Sequence, residues 1–141
     1  MSLRYEYGNI LSSNCTYVCC SVGLNPDNLT THTMRVRHKY PQAFFNYKSR
    51  LKEFEEYPDT WNMGSILITD IDKYHKIIMM FAAGSYEALW DALHEIRENV
   101  PVGSRIGFEY YEDKELNFDI VRTLIREVLA DTHDVEIFRF N

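Results

Sequence analysis

The sequence predicts an α/β fold: one three-layer α/β/α domain with a mixed central sheet. Three observations predict it. Strand-like and helix-like stretches alternate along the chain, the pattern of helices packed on both faces of a sheet. Residues 16 to 22 (TYVCCSV) are apolar at successive positions, as a strand buried on both faces must be. The 141 residues carry no repeat, low-complexity tract or Gly/Ser linker, so one core and one domain spanning 1–141 are expected.

The elements follow in order. Residues 4 to 7 and 16 to 22 read as strands, and Gly23 to Asn28 (GLNPDN) as a turn. A helix is expected to open after Asn28, with Leu29, Thr33, Val36 and Tyr40 on one face and Pro41 ending it. Phe44, Tyr47, Leu51 and Phe54 recur at helical spacing until Pro58. Ser65 to Thr69 and Lys76 to Phe81 form two strands around a charged turn, a hairpin. Ser85 caps the next helix, whose buried stripe is Leu89, Leu93, Ile96 and Val100, before Pro101 and Gly103 end it. Arg105 to Phe108 is a short strand, and Asn117 caps a last helix with Val121, Leu124, Ile125, Val128 and Leu129 as its stripe. Val135 to Phe140 is the closing strand.

Composition removes whole classes of function. Hydrophobic residues make up 45% and charged residues 26%, too apolar for disorder. With 15 Lys and Arg against 21 Asp and Glu, the net charge of -6 argues against strong nucleic-acid binding or attraction to an anionic membrane. The longest apolar stretches, such as Ile77 to Ala83, fall far short of the roughly 18 residues of a membrane span. Met1 to Tyr7 contains Arg4 and Glu6 and no apolar run for a secretory signal, so a cytoplasmic chain is expected. Cys15, Cys19 and Cys20 lack metal-site spacing and read as reduced, mostly buried thiols, with Cys19 and Cys20 on opposite faces of their strand.

Chemistry-bearing residues are sparse. Between Asn28 and Lys52 there is no Asp or Glu, while Arg35, Arg37, Lys39, Lys48, Arg50 and Lys52 appear. Two readings stay open: solvated helix faces whose carboxylate partners lie elsewhere, or a patch facing an anion beside a helix amino terminus. His32, His38, His75, His94 and His133 show no ligand spacing, so no metal is assigned and no cofactor is expected. His32 alone stands at a loop-to-helix junction, and it reads as solvated rather than catalytic. GxSxG, Walker A and GxGxxG are absent. Phe108 to Asp119 (FEYYEDKELNFD) reads as a polar connection in which Tyr110 and Tyr111 shield the core, in preference to an acid/base site. Phe138 and Phe140 read as core residues, although an aromatic at a strand end can also stack on a base.

Taken in order, these elements resemble the macro domain family, the ADP-ribose-binding module, closest in feel to phage and antitoxin-like members. Tyr7-Gly8-Asn9-Ile10-Leu11 is similar to the family's opening Gly-Asp-Ile/Leu, with Asn9 in place of the acidic residue. Tyr17 to Pro41, ending Arg37-His38-Lys39-Tyr40-Pro41, resembles the family's strand, loop and basic helix. Gly64 to Ala83 resembles its hairpin, Arg105-Ile106-Gly107 the start of its second ligand loop, Asn117-Phe118-Asp119 a helix start, and Val135 to Phe138 its terminal strand. The resemblance implies an ADP-ribose-like small molecule as partner, with adenine by Asn9, Ile10 and Phe138. It implies a diphosphate between the turn of Gly23, Leu24, Asn25, Asp27 and Asn28 and the loop of Ile106, Gly107, Phe108 and Tyr110. In members that remove ADP-ribose a Lys and an Asp act; the Lys position falls near Ala82 or Ala83, and Asp113 roughly matches the Asp, so whether the chain is an enzyme stays open. The alternative is a degenerate macro fold serving as a protein-interaction module, with Tyr110 and Tyr111 filling the cleft and a protein as partner.

Overall fold

The computed structural model describes residues 2–60, 63–110 and 112–140; Tyr111 lies outside them. In chain order the elements are β1 (Ser2–Tyr7), β2 (Tyr17–Val22), α1 (Thr31–Lys39), α2 (Pro41–Glu56), β3 (Ile66–Asp70), β4 (Lys76–Phe81), α3 (Tyr86–Asn99), β5 (Arg105–Glu109), α4 (Phe118–Leu129) and β6 (Asp134–Arg139). Short 3-10 turns lie at Ile10–Ser12 and Pro58–Thr60. The strands form one sheet in the order β1-β6-β5-β2-β4-β3. Only the β3–β4 hairpin is antiparallel among these pairings. The expected mixed sheet is therefore observed, with β2 in its interior.

Side-chain alternation along β2 separates two cores. Cys19 faces one cluster, made with Leu89, Leu93 and Ile96 of α3 and Ile125, Val128 and Leu129 of α4. Cys20 faces the other, made with Val36 of α1 and Ala43 and Tyr47 of α2. All six residues of β2 are buried, and Cys15, Cys19 and Cys20 are free, buried thiols. Each fully buried Leu or Ile in these layers contributes about 1.5–3 kcal/mol relative to exposure.

Local chemistry sets the ends of the helices. Ser85 accepts the Ala88 N–H at 3.1 Å and Asn117 the Asp119 N–H at 2.8 Å, as the cap positions predict. The first helix differs from expectation. It starts at Thr31, not directly after Asn28, because Thr30 is the residue whose hydroxyl accepts from the Thr33 N–H, at 3.0 Å. Pro41 both stops α1 and opens α2, since a missing N–H costs nothing at a first helical position. Among the described residues no helix is long and apolar enough to cross a membrane.

Candidate functional site

The chain leaves β2 toward the α1/α2 face and leaves β4 toward the α3/α4 face. Diverging connections open a crevice at the carboxyl ends of neighbouring parallel strands. A cleft of about 320 Å³ lies there, lined by Ser21 of β2, Ala83 after β4, Glu109 at the end of β5, Asn28 to His32 around the start of α1, and Glu112 to Glu115. The capping geometry of α1 leaves the N–H groups of Thr31 and His32 without partners inside the helix, and the helix dipole adds partial positive charge.

A carboxylate of the chain itself reaches this positive end. Both oxygens of Glu112 accept from the Ser21 N–H, at 3.1 and 3.0 Å. The Thr30 and Thr33 hydroxyls donate to its Oε2 at 2.9 and 3.2 Å. Burial pushes this carboxyl up to about 7, against the pull of those three donors. Its neighbour Asp113 is equally committed, because Oδ2 accepts the Gly84 N–H at 2.7 Å and Oδ1 the Glu115 N–H at 3.0 Å. Gly84 sits at φ 73°, and an added Cβ would lie 2.6 Å from the Glu115 carboxylate, so a glycine is required at this turn. The acidic segment is thus tied down across the ends of β2 and β4.

Glu109 pairs with Arg35, whose guanidinium also lies 4.2 Å from the Phe140 ring centre. Burial raises the Glu109 carboxyl above its ordinary value, with His32 and Arg35 opposing the rise. His32 is 1% exposed, which corrects its expected solvation. The reason is its place in the first turn of α1, against β2, where Nε2 donates to the Cys19 carbonyl at 2.9 Å. Its Nδ1 has no hydrogen-bond partner and lies 3.4 Å from Glu109 Oε2. Burial holds the imidazole below its ordinary value.

The structure does not gather the residues singled out from sequence into one place. Asn28 lines the cleft. Gly23 and Leu24 turn toward α2: the Gly23 carbonyl accepts from the Tyr47 hydroxyl at 2.6 Å, and Leu24 lines a separate, mostly apolar groove of about 450 Å³ with Leu51 and Phe54. Asn25 organises the turn by accepting the Asp27 N–H at 3.0 Å. Asn9 accepts the Leu11 N–H at 3.0 Å, while Ile10 and Phe138 are buried in the same cluster. Ile106 and Phe108 face the α3/α4 core. Gly107 backs onto Ile10, and a Cβ there would meet Ile10 Cδ1 at 2.7 Å and Cys15 Sγ at 3.1 Å. The Tyr110 ring packs 4.2 Å from Phe118 and shields the start of α4.

The basic stretch resolves toward structural partners. Besides Arg35 with Glu109, Lys39 donates to the Leu11 carbonyl at 3.0 Å, Arg50 pairs with Glu53 at 3.3 Å and Arg37 lies over Phe44. Among the described residues no group of three or more His, Cys, Asp or Glu is placed to hold a metal ion.

By sequence, no protein-family model and no curated protein matches the chain. Solved structures do. The macrodomain of Thermus aquaticus DarG is similar over 99% of this chain and 97% of its own, with 16% identity and a TM-score of 0.73. A macrodomain protein from Streptomyces coelicolor is similar over 99% of both chains, with 11% identity and a TM-score of 0.74. The fold is that of a macrodomain. Thermosipho africanus DarTG in complex with ADP-ribose is similar over 95% of this chain, which spans 41% of that chain, with 14% identity and a TM-score of 0.74.

The cleft carries residues that sequence reasoning missed. Ser21, Thr30, Thr33, Glu109 and Glu112 are absent from the expected site. Thr30 had a legible signal, a threonine directly before a helical pattern. Glu112 had none, because its contact with Ser21 spans 91 residues of chain.

Proposed function

We propose that this macrodomain binds an ADP-ribose-type nucleotide in the cleft at the carboxyl ends of β2, β4 and β5. The observation that carries the proposal is the cleft itself: an opening of about 320 Å³ against the amino end of α1, where backbone N–H groups and the helix dipole favour a phosphate. The Thermosipho africanus complex, which has this fold and holds ADP-ribose, supports the same reading. The diphosphate then lies against Asn28 and the first turn of α1, and adenine toward Asn9, Ile10 and Phe138.

Turnover is outside the proposal. Alanines stand at 82 and 83, where the resemblance implies a lysine, and both oxygens of Asp113 are engaged by backbone N–H groups. No release of ADP-ribose from modified protein or DNA is expected. A second reading, a macro fold acting as a protein-interaction module, is favoured by one observation: the Glu112 carboxylate stands in the cleft, held by the Ser21 N–H and the Thr30 and Thr33 hydroxyls.

A thermal-shift screen separates the two, because a ligand that binds the native state raises the melting temperature. ADP-ribose, its 1″-phosphate, NAD and cyclic dinucleotides are the probes. A saturable rise with ADP-ribose, reproduced by calorimetry at one site per chain, supports the nucleotide reading. No rise with any probe favours the interaction module.

A further inference from the structure

An anion position at the start of a helix is ordinarily filled by a ligand or by water. Here a carboxylate of the chain stands at its edge. Glu112 accepts from the Ser21 N–H with both oxygens and from the Thr30 and Thr33 hydroxyls with Oε2, so its donors come from the end of β2 and from the cap and first turn of α1. A phosphate at the amino end of α1 would meet the Thr30 and Thr33 hydroxyls beside the Thr31 and His32 N–H groups. A second observation at the same spot concerns His32: its imidazole is 1% exposed, lines the cleft and has an Nδ1 with no hydrogen-bond partner. That nitrogen faces Glu109 Oε2 at 3.4 Å on the wall of the same cleft, so a neutral acceptor, not a fixed cation, stands beside the position that Glu112 holds.

We propose that Glu112 is a displaceable occupant of the phosphate position, and that its charge decides when a phosphate-bearing ligand can enter the cleft. The inference rests on the nucleotide-binding reading above and names how that site is regulated. Two anions cannot share one set of donors in a half-buried cleft, so the Glu112 carboxyl takes up a proton and gives up those donors, staying in the cleft as the neutral acid, when a diphosphate arrives.

The groups facing Glu112 define the pH response. From α1 come His32, Thr30 and Thr33; from β2, the Cys19 and Cys20 thiols, which burial raises well above their ordinary value; from its own segment, Glu109, Asp113, Lys114 and Glu115. His32 is held neutral by burial, and the cysteines stay protonated, so neither supplies a new charge near neutrality. Glu109 titrates beside Glu112 and in the same direction. Glu112 titrates at about 7. If ligand entry takes up one proton there, affinity falls about tenfold between pH 6 and pH 8.

The experiment is calorimetric titration of ADP-ribose into the wild type, Glu112→Gln and Glu98→Gln at pH 6, 7 and 8. Glu98 is an exposed acid on α3 and controls for a general loss of negative charge. The expected result is a wild-type affinity that falls about tenfold from pH 6 to pH 8, an affinity of Glu112→Gln that falls much less and is tighter than wild type at pH 8, and a Glu98→Gln profile like the wild type. Equal affinities in wild type and Glu112→Gln at every pH overturn the proposal, as does weaker binding by a folded Glu112→Gln protein. If no protein binds ADP-ribose, the nucleotide reading fails, and the same titrations with inorganic pyrophosphate decide the role of Glu112. Tighter pyrophosphate binding by Glu112→Gln upholds a displaceable occupant; equal binding, or none, overturns it.

Discussion

The Nδ1 of His32 faces Oε2 of Glu109 at 3.4 Å, inside a pocket that leaves the imidazole 1% exposed. With Nε2 donating to the Cys19 carbonyl, the neutral ring turns a lone pair toward the carboxyl, and a proton between the two would join them. Burial lowers the affinity of His32 for a second proton, so the native state stays neutral where an unfolded chain begins to take one up. The unfolded state then binds more protons below about pH 6.5, and stability attributable to this ring is lost as pH falls through that range. In NMR titration the His32 ring resonances should hold still between pH 7 and 6. A His32 titration at the free-imidazole value would show that the ring is not shielded as described.

Glu112 acts with the opposite sign. Its carboxyl is raised from 4.5 to about 7, so the native state binds the extra proton, and stability falls as pH rises from 4.5 through 7. Glu112→Gln carries no titrating group and lacks this slope. Urea denaturation of both proteins at pH 5, 6, 7 and 8 should show the variant gaining stability relative to wild type as pH rises. A constant difference across that range would place the Glu112 carboxyl at its ordinary value.

What was legible in the sequence follows from the reach of each force. Hydrophobic periodicity and capping act over a few residues, so the β3–β4 hairpin, the Ser85 and Asn117 caps and the stripe of Leu89, Leu93 and Ile96 could all be read. The mostly apolar run of β2 showed that it lies inside the sheet. The chemistry of the cleft depends on long-range pairs instead. Arg35 meets Glu109 across 74 residues, and the Thr30 hydroxyl meets Glu112 across 82. No local pattern distinguishes these carboxylates from the solvated charge of a polar loop. The burial of His32 was missed for a related reason, since a polar residue in a first helical turn gives no periodic sign of packing against a strand.

Two glycines that sequence placed in the ligand site should respond very differently to substitution. Gly107 lies where β5 backs onto the Ile10–Ser12 turn, and an added Cβ meets Ile10 Cδ1 at 2.7 Å. At Gly23 a Cβ meets only the Ala83 Cβ at 3.6 Å, an ordinary contact. Overpacking of this kind typically costs about 1–3 kcal/mol, so Gly107→Ala should lower the denaturation midpoint clearly. Gly23→Ala should leave stability within about 0.5 kcal/mol of wild type. Chemical denaturation of the two variants checks the order, and a harmless Gly107→Ala would mean that Ile10 yields freely.

Thr30 carries two duties with one hydroxyl. Its oxygen accepts the Thr33 N–H at 3.0 Å, capping α1, and its proton goes to Glu112 Oε2 at 2.9 Å. An ordinary N-cap threonine is worth about 1 kcal/mol, and loss of this one also removes a donor from a desolvated carboxylate. Thr30→Ala should therefore cost more than a simple cap, about 2 kcal/mol or above at pH 8, whereas Thr30→Ser retains the hydroxyl and most of the stability. Charge state separates the two duties, because the capping share is independent of pH and the Glu112 share is strongest when the carboxyl is ionised. In the Glu112→Gln background the cost of Thr30→Ala should shrink toward that of the cap alone, giving a coupling of about 0.5–2 kcal/mol in the double-mutant cycle. If the cycle closes with no coupling at pH 8, the Thr30 hydroxyl serves only the helix, and Glu112 is held by Ser21 and Thr33 without it.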